Sequence, residues 1–125
     1  MKIIITTKNL ELTGALKNFV EEKFSGLQKF IDILKREDEM RKTFAEVFID
    51  IEKETKHHKK GKIFLVKTQV TLPGRMLTAW AREDDLFKAV VSAKKELKSE
   101  IEKYKFRISD RNRREQRKLK QELES

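Results

Sequence analysis

From Lys2 to Thr7 the chain is a β-branched run built on Ile3, Ile4 and Ile5, which predicts a short strand. The period then changes. Leu16, Phe19, Val20, Phe24, Leu27, Phe30, Ile31 and Leu34 recur at steps of three and four with charges between them, and Thr13 stands where an N-cap belongs. One amphipathic helix is therefore expected over Gly14 to Leu34. Arg36 to Lys42 reads as a charged connection, after which the period falls to two: Ala45, Val47, Ile49 and Ile51 alternate with Phe44, Glu46, Phe48, Asp50 and Glu52. A polar turn, Thr55 to Gly61, leads into a third strand with Phe64, Val66, Thr68, Val70 and Leu72 on one face. Pro73-Gly74 predicts a tight turn, and Leu77, Ala79 and Ala81 mark a fourth strand. Glu83, Asp84 and Asp85 put carboxylates where a helix start favours them, and Phe87, Val90, Leu97, Ile101 and Tyr104 keep helical spacing to about Arg107.

The expected fold class is therefore α+β, a single β-α-β-β-β-α domain over residues 1–107. Its four-stranded sheet would carry both helices on one face. The other face would display Phe44, Phe48, Ile63, Leu65, Met76 and Trp80 together with Glu46, Asp50 and Glu52. Residues 108–125 lose the apolar period and read as a basic tail, flexible or helical.

Charge narrows the choice of partner. Thirty lysines and arginines against 21 aspartates and glutamates give a net charge of +9 in 125 residues. An excess of that size calls for an anionic partner, most simply a nucleic acid. A membrane surface fits less well, because the basic residues do not face one continuous apolar stripe, and no apolar run of about 20 residues exists. Met1 to Thr7 is too short an apolar stretch for a secretory signal, and there is no cysteine. A cytoplasmic protein is expected.

Chemistry is harder to find. His57 and His58 are neighbours in a lysine-rich turn, with no cysteine to complete a metal set. No glycine-rich phosphate loop is present, and helix capping accounts for Glu83, Asp84 and Asp85 without invoking acid-base work. Neither catalysis nor a cofactor or metal is expected. The candidate RNA-binding residues are Lys17, Lys23 and Lys29 on the first helix, Arg82, Lys88, Lys94, Lys95, Lys98, Lys103, Lys105 and Arg107 on and before the second, and Arg111, Arg113, Arg114, Arg117 and Lys118 in the tail. Phe48, Leu65 and Trp80 on the open sheet face are candidates for a protein contact. Two other classes of function stay open: a general double-stranded-RNA binder, and a protein-interaction regulator working through that face.

Two stretches resemble a known family. Ile5 to Thr13 with Ala15-Leu16, Val20-Glu21-Glu22-Lys23-Phe24 and Leu27 looks like the opening of the hibernation-promoting factor and ribosome-associated inhibitor family. Val70-Thr71-Leu72-Pro73-Gly74, then Leu77, Ala79 and Glu83-Asp84-Asp85-Leu86-Phe87-Lys88-Ala89-Val90, with Lys103-Tyr104-Lys105 at the close, resembles its second half. The resemblance covers about residues 1–107. It implies a protein without cofactor or catalysis that binds the small ribosomal subunit and its ribosomal RNA, in the channel used by messenger and transfer RNA, and silences or protects idle ribosomes. A second, ribosome-dimerising factor is a further partner in such a scheme. The pattern departs at Gly26, where a lysine is common, and at Glu96, Ser99 and Glu102, where basic residues are usual. Long members add a dimer-forming domain after a linker, so a short form is expected here.

Overall fold

The computed structural model describes residues 1–37, 45–54, 61–72 and 75–124. The elements run β1 (Lys2–Lys8), α1 (Gly14–Ser25), α2 (Gln28–Glu37), β2 (Glu46–Glu54), β3 (Ile63–Leu72), β4 (Arg75–Glu83) and α3 (Leu86–Glu124). The sheet order is β1-β2-β3-β4, with β1 parallel to β2 and the two remaining pairs antiparallel. A parallel neighbour requires a crossover, and α1 with α2 supplies it. The connection expected over 38–42, Phe44, the histidine pair and the Pro73-Gly74 turn fall outside the described residues.

Alternation divides the sheet into two faces. Val47, Ile49, Ile51, Val66, Val70, Leu72, Leu77 and Ala79 point into one core with Leu16, Val20, Phe24, Leu27 and Ile31 of the first helical layer and Ala89, Val90, Ala93, Leu97 and Ile101 of α3. Burying a side chain such as Phe24, Leu27 or Ile49 contributes roughly 1.5–3 kcal/mol. Thr68 is buried among them and stays satisfied by donating from Oγ1 to the Ala79 carbonyl at 2.8 Å.

Three boundaries differ from the expectation. The single helix over Gly14 to Leu34 is two helices, and α2 extends to Glu37, taking in part of the expected connection. At the break Gly26 caps α1 and the Leu27 amide returns to the Phe24 carbonyl at 3.0 Å. Leu27 and Ile31 nevertheless stay fully buried, so the apolar stripe passes through the interruption and conceals it from a periodicity reading. The last helix does not close near Arg107 but continues to Glu124.

Local signals account for the remaining ends. Thr13 Oγ1 accepts from the Leu16 amide at 3.1 Å and starts α1. Asp85 caps α3, its Oδ1 accepting from the Lys88 amide at 2.9 Å. After β1, Asn9 adopts φ 63°, a left-handed conformation that asparagine tolerates, and its amide donates to the Lys53 carbonyl at 3.3 Å.

Candidate nucleic-acid interface

The helix layer gathers ammonium groups where α1 and α2 meet α3. Phe19 of α1 meets Phe87 of α3 edge-on, with ring centroids 4.7 Å apart, and Lys23 lies 5.4 Å from the Phe19 ring. Further along the seam, the Phe30 ring lies between Lys29 at 5.2 Å and Lys98 at 4.8 Å, one ammonium from each helical layer. Lys94 closes the gap between these pairs: a Cβ added at Gly26 would meet its Nζ at 3.3 Å. Gly26 thus leaves room for the Lys94 ammonium beside the C-terminal end of α1, where the helix dipole favours a cation. Lys23, Lys29, Lys94 and Lys98 form one patch of four positive charges backed by aromatic rings. Lysine stems held against rings have less freedom to lose when they meet an anion than free side chains.

The other candidates distribute around this patch. Lys17 is exposed on α1, and Lys95 is exposed on α3. Lys103 pairs with Glu100 at 3.4 Å, and Lys98 approaches Glu102 at 4.0 Å; both are helix-surface pairs of small energy. Lys105 is half-buried, and Arg107 lies 5.9 Å from the Tyr104 ring. Arg111, Arg113, Arg114, Arg117 and Lys118 all lie on the distal part of α3, and Arg114 pairs with Asp110 at 2.9 Å. Lys88 sits apart at the start of α3, in a shallow depression with Ile63, Arg82, Glu83 and Asp84.

Arg82 does not join the seam of Lys23, Lys29, Lys94 and Lys98. It projects from the open sheet face, where Nε donates to Glu54 at 2.9 Å and the guanidinium lies 5.6 Å from the Trp80 ring. On that face the described strand residues Lys2, Lys8, Lys67 and Arg82 stand against Glu46, Asp50, Glu52 and Glu54, which leaves no net charge. Lys8 pairs with Glu52 at 3.7 Å, and Thr6 donates to Asp50 at 3.0 Å. Among the candidate protein contacts, Trp80 is 60% exposed and Phe48 half-buried, and both line a depression of about 340 Å³ with Thr6, Asp50, Lys67 and Gln69. Leu65 is only 7% exposed and offers a partner little surface, despite lying on the open face as expected. The two faces therefore differ in kind: the helix face carries an excess of positive charge, and the sheet face is neutral, with Lys8 and Arg82 paired, and partly apolar.

The same fold recurs in solved structures. A ribosomal subunit interface protein from Coxiella burnetii superposes with a TM-score of 0.62 at 25% identity, over 84% of this chain and 98% of its own. The N-terminal domain of Protein Y from Thermus thermophilus superposes with a TM-score of 0.59 at 22% identity, over 83% and 99%, and shows the fold alone. Residues 3–109 match the family described as sigma 54 modulation protein / S30EA ribosomal protein. The chain belongs to this family.

Family membership gives the departures at Gly26 and on the last helix a physical setting. At Gly26, where the resemblance leads to the expectation of a lysine, the space beside the backbone holds the ammonium of Lys94 from the opposite helix, which supplies positive charge at the junction. Glu102 approaches Lys98, which also contacts Phe30. A reading of the sequence misses the aromatic half of the patch. Phe19, Phe30 and Phe87 fall at helical spacing and read as core, yet Phe87 is exposed and the other two are only half-buried. Phe106 is missed as well. It lies off the buried stripe of Leu97, Ile101 and Ile108, is largely exposed, and lines a shallow hollow with Lys103 and Arg107. The available signal was its position between two basic residues, Lys105 and Arg107.

Among the described residues no cluster of histidine, aspartate and glutamate could hold a metal, and no helix is long and apolar enough to cross a membrane.

Proposed function

We propose that this chain is a translation inhibitor that docks by its helix face on the ribosomal RNA of the small subunit, in the channel used by messenger and transfer RNA, and so silences or protects idle ribosomes. The patch of Lys23, Lys29, Lys94 and Lys98, formed across the α1/α2–α3 seam of a ribosome-associated family fold, carries this reading. Phosphates supply the anionic partner that such a patch needs, and the action required is occupancy of a site, with no bond made or broken. A general double-stranded-RNA binder is less well supported, because Asp84 and Asp85 set negative charge at the start of α3. Protein contact fits the neutral sheet face around Trp80, where a ribosome-dimerising factor would find an exposed ring with Lys8 and Arg82 already paired to Glu52 and Glu54.

The test is co-sedimentation with purified small subunits through sucrose, with and without bound messenger and initiator transfer RNA. The protein is expected in the subunit fraction at moderate salt and displaced when the channel is already filled. Equal binding to empty and filled subunits would refute channel docking, and recovery only at the top of the gradient would remove ribosome binding itself.

A further inference from the structure

Helix α3 is about twice as long as the sheet beneath it requires. The nine residues of β4 span roughly 30 Å, and a helix needs about 20 residues to cover that length. α3 runs back along β4, for the Arg75 guanidinium at the start of that strand lies 5.1 Å from the ring of Tyr104. Among the described residues Ile108, 2% exposed, is the last buried side chain, and from Arg113 to Glu124 every residue is exposed. The helix beyond Ile108 therefore extends about 24 Å past its seat. An isolated helix of that length is marginal in water. This one grows from turns already packed on the sheet, and the Asp110–Arg114 pair ties its first turn.

Charge along the extension is uneven. Between residues 111 and 120 stand six basic residues and one acid, Glu115, whereas Glu122 and Glu124 make the tip acidic. The family match ends at residue 109, so the fold held in common does not account for this helix.

We propose that residues 109–124 form a rigid basic arm that grips a second RNA segment, roughly 5 to 20 Å beyond the sheet, at a place fixed by the seating of α3. The proposal rests on the reading of the helix face as the ribosomal RNA site and adds a separate contact in a set direction. Because the arm is one piece with the domain, its contact adds to the first without the entropy of ordering a loose tail. Pairing with a second copy through Leu119 and Leu123 is the competing occupant. Two leucines on each arm bury a few hundred Å² at most, short of the roughly 1,200 Å² of a specific interface, and they lie beside like charges.

The chain has no cysteine, so single cysteines can carry an iron chelate that cuts nearby RNA with hydroxyl radicals. Ser25→Cys places the probe at the end of α1 and Glu122→Cys at the arm tip, each in the full chain bound to small subunits. The tip is expected to cut ribosomal RNA at nucleotides not reached from position 25. Adding Asn112→Pro, which kinks a helix by removing an amide hydrogen bond, should shift or abolish the tip cuts and leave the others in place. The combination Arg113→Gln, Arg117→Gln, Lys118→Gln and Lys120→Gln should weaken binding at least tenfold at about 0.15 M salt. Cuts from position 25 with none from the tip would overturn the arm, as would tip cuts unmoved by Asn112→Pro. Tip cuts without cuts from position 25 would leave the arm standing and refute docking by the helix face. A dimer seen by light scattering and abolished by Leu119→Ala/Leu123→Ala would assign the arm to self-association instead.

Discussion

Replacing Lys23, Lys29, Lys94 and Lys98 together by glutamine removes the four charges of the seam and keeps most of the stems that lie on Phe19 and Phe30. For every phosphate that is no longer neutralised, the slope of log affinity against log salt should flatten by about 0.7 to 0.9. Extrapolated from 1 M to 0.15 M salt, that slope is worth about a 4- to 5.5-fold change per phosphate, or roughly 200- to 900-fold for four. Between about 50 and 200 mM salt the wild-type patch alone should weaken by about 50- to 150-fold in affinity, and the variant should show none of that part of the response. Stability must be followed separately, because three lysine–ring contacts and the Lys98–Glu102 pair disappear as well. At about 0.5 kcal/mol for each partly exposed contact the cost is about 2 kcal/mol, or some 8 °C in Tm, which leaves the variant folded at about 25 °C. The assay is a binding titration on small subunits at several salt concentrations, with circular dichroism melts alongside. A folded variant with an unchanged salt slope would show that the phosphates are held elsewhere.

Ile108→Ala should cost about 2 to 5 kcal/mol in a denaturant melt, because the side chain is in the core, whereas ending the chain after Asn112 should leave the melt nearly unchanged. In a translation titration the chain ended after Asn112 should need more protein but still inhibit fully at saturation; a form that saturates ribosomes without inhibiting them would give the arm the blocking role. Trp80→Ala on the neutral sheet face should leave ribosome binding within about twofold, and loss of binding in a folded variant would move the RNA site to the sheet. Thr13→Ala removes the cap at the start of α1 and should cost about 1 kcal/mol by thermal melt, with no change if the Leu16 amide finds water instead.

The two faces imply a division of labour within a small domain. Positive charge is in excess on the helices, and Lys23, Lys29, Lys94 and Lys98 gather it at one seam, where a phosphate backbone can be met. On the open sheet face Lys8 is paired with Glu52 and Arg82 with Glu54, so desolvating it against a protein strands fewer charges. Arg82 shows why composition alone misassigns a residue: it is basic and adjacent to the last helix in sequence, but strand alternation turns it to the other side, onto Glu54 and Trp80.

Much of this protein follows from local periodicity. Alternation at Val47, Ile49 and Ile51 and at Val66, Val70 and Leu72 determines which side of each strand is buried, because successive side chains point to opposite faces whatever the partner. Thr13 and Asp85 mark their helix starts because a cap is a contact over three residues. The net charge likewise needs no fold to be counted. Tertiary structure decides what depends on residues distant in the chain. Lys94 and Gly26 share one space, Lys29 and Lys98 share one ring, and Leu65 is covered on a face that alternation calls open. The break after Ser25 is hidden because the buried stripe continues through Leu27. The length of α3 beyond Arg107 is hidden for the opposite reason. Apolar periodicity records only where a helix is packed, whereas past Ile108 the helix continues by propagating from turns already seated on the sheet.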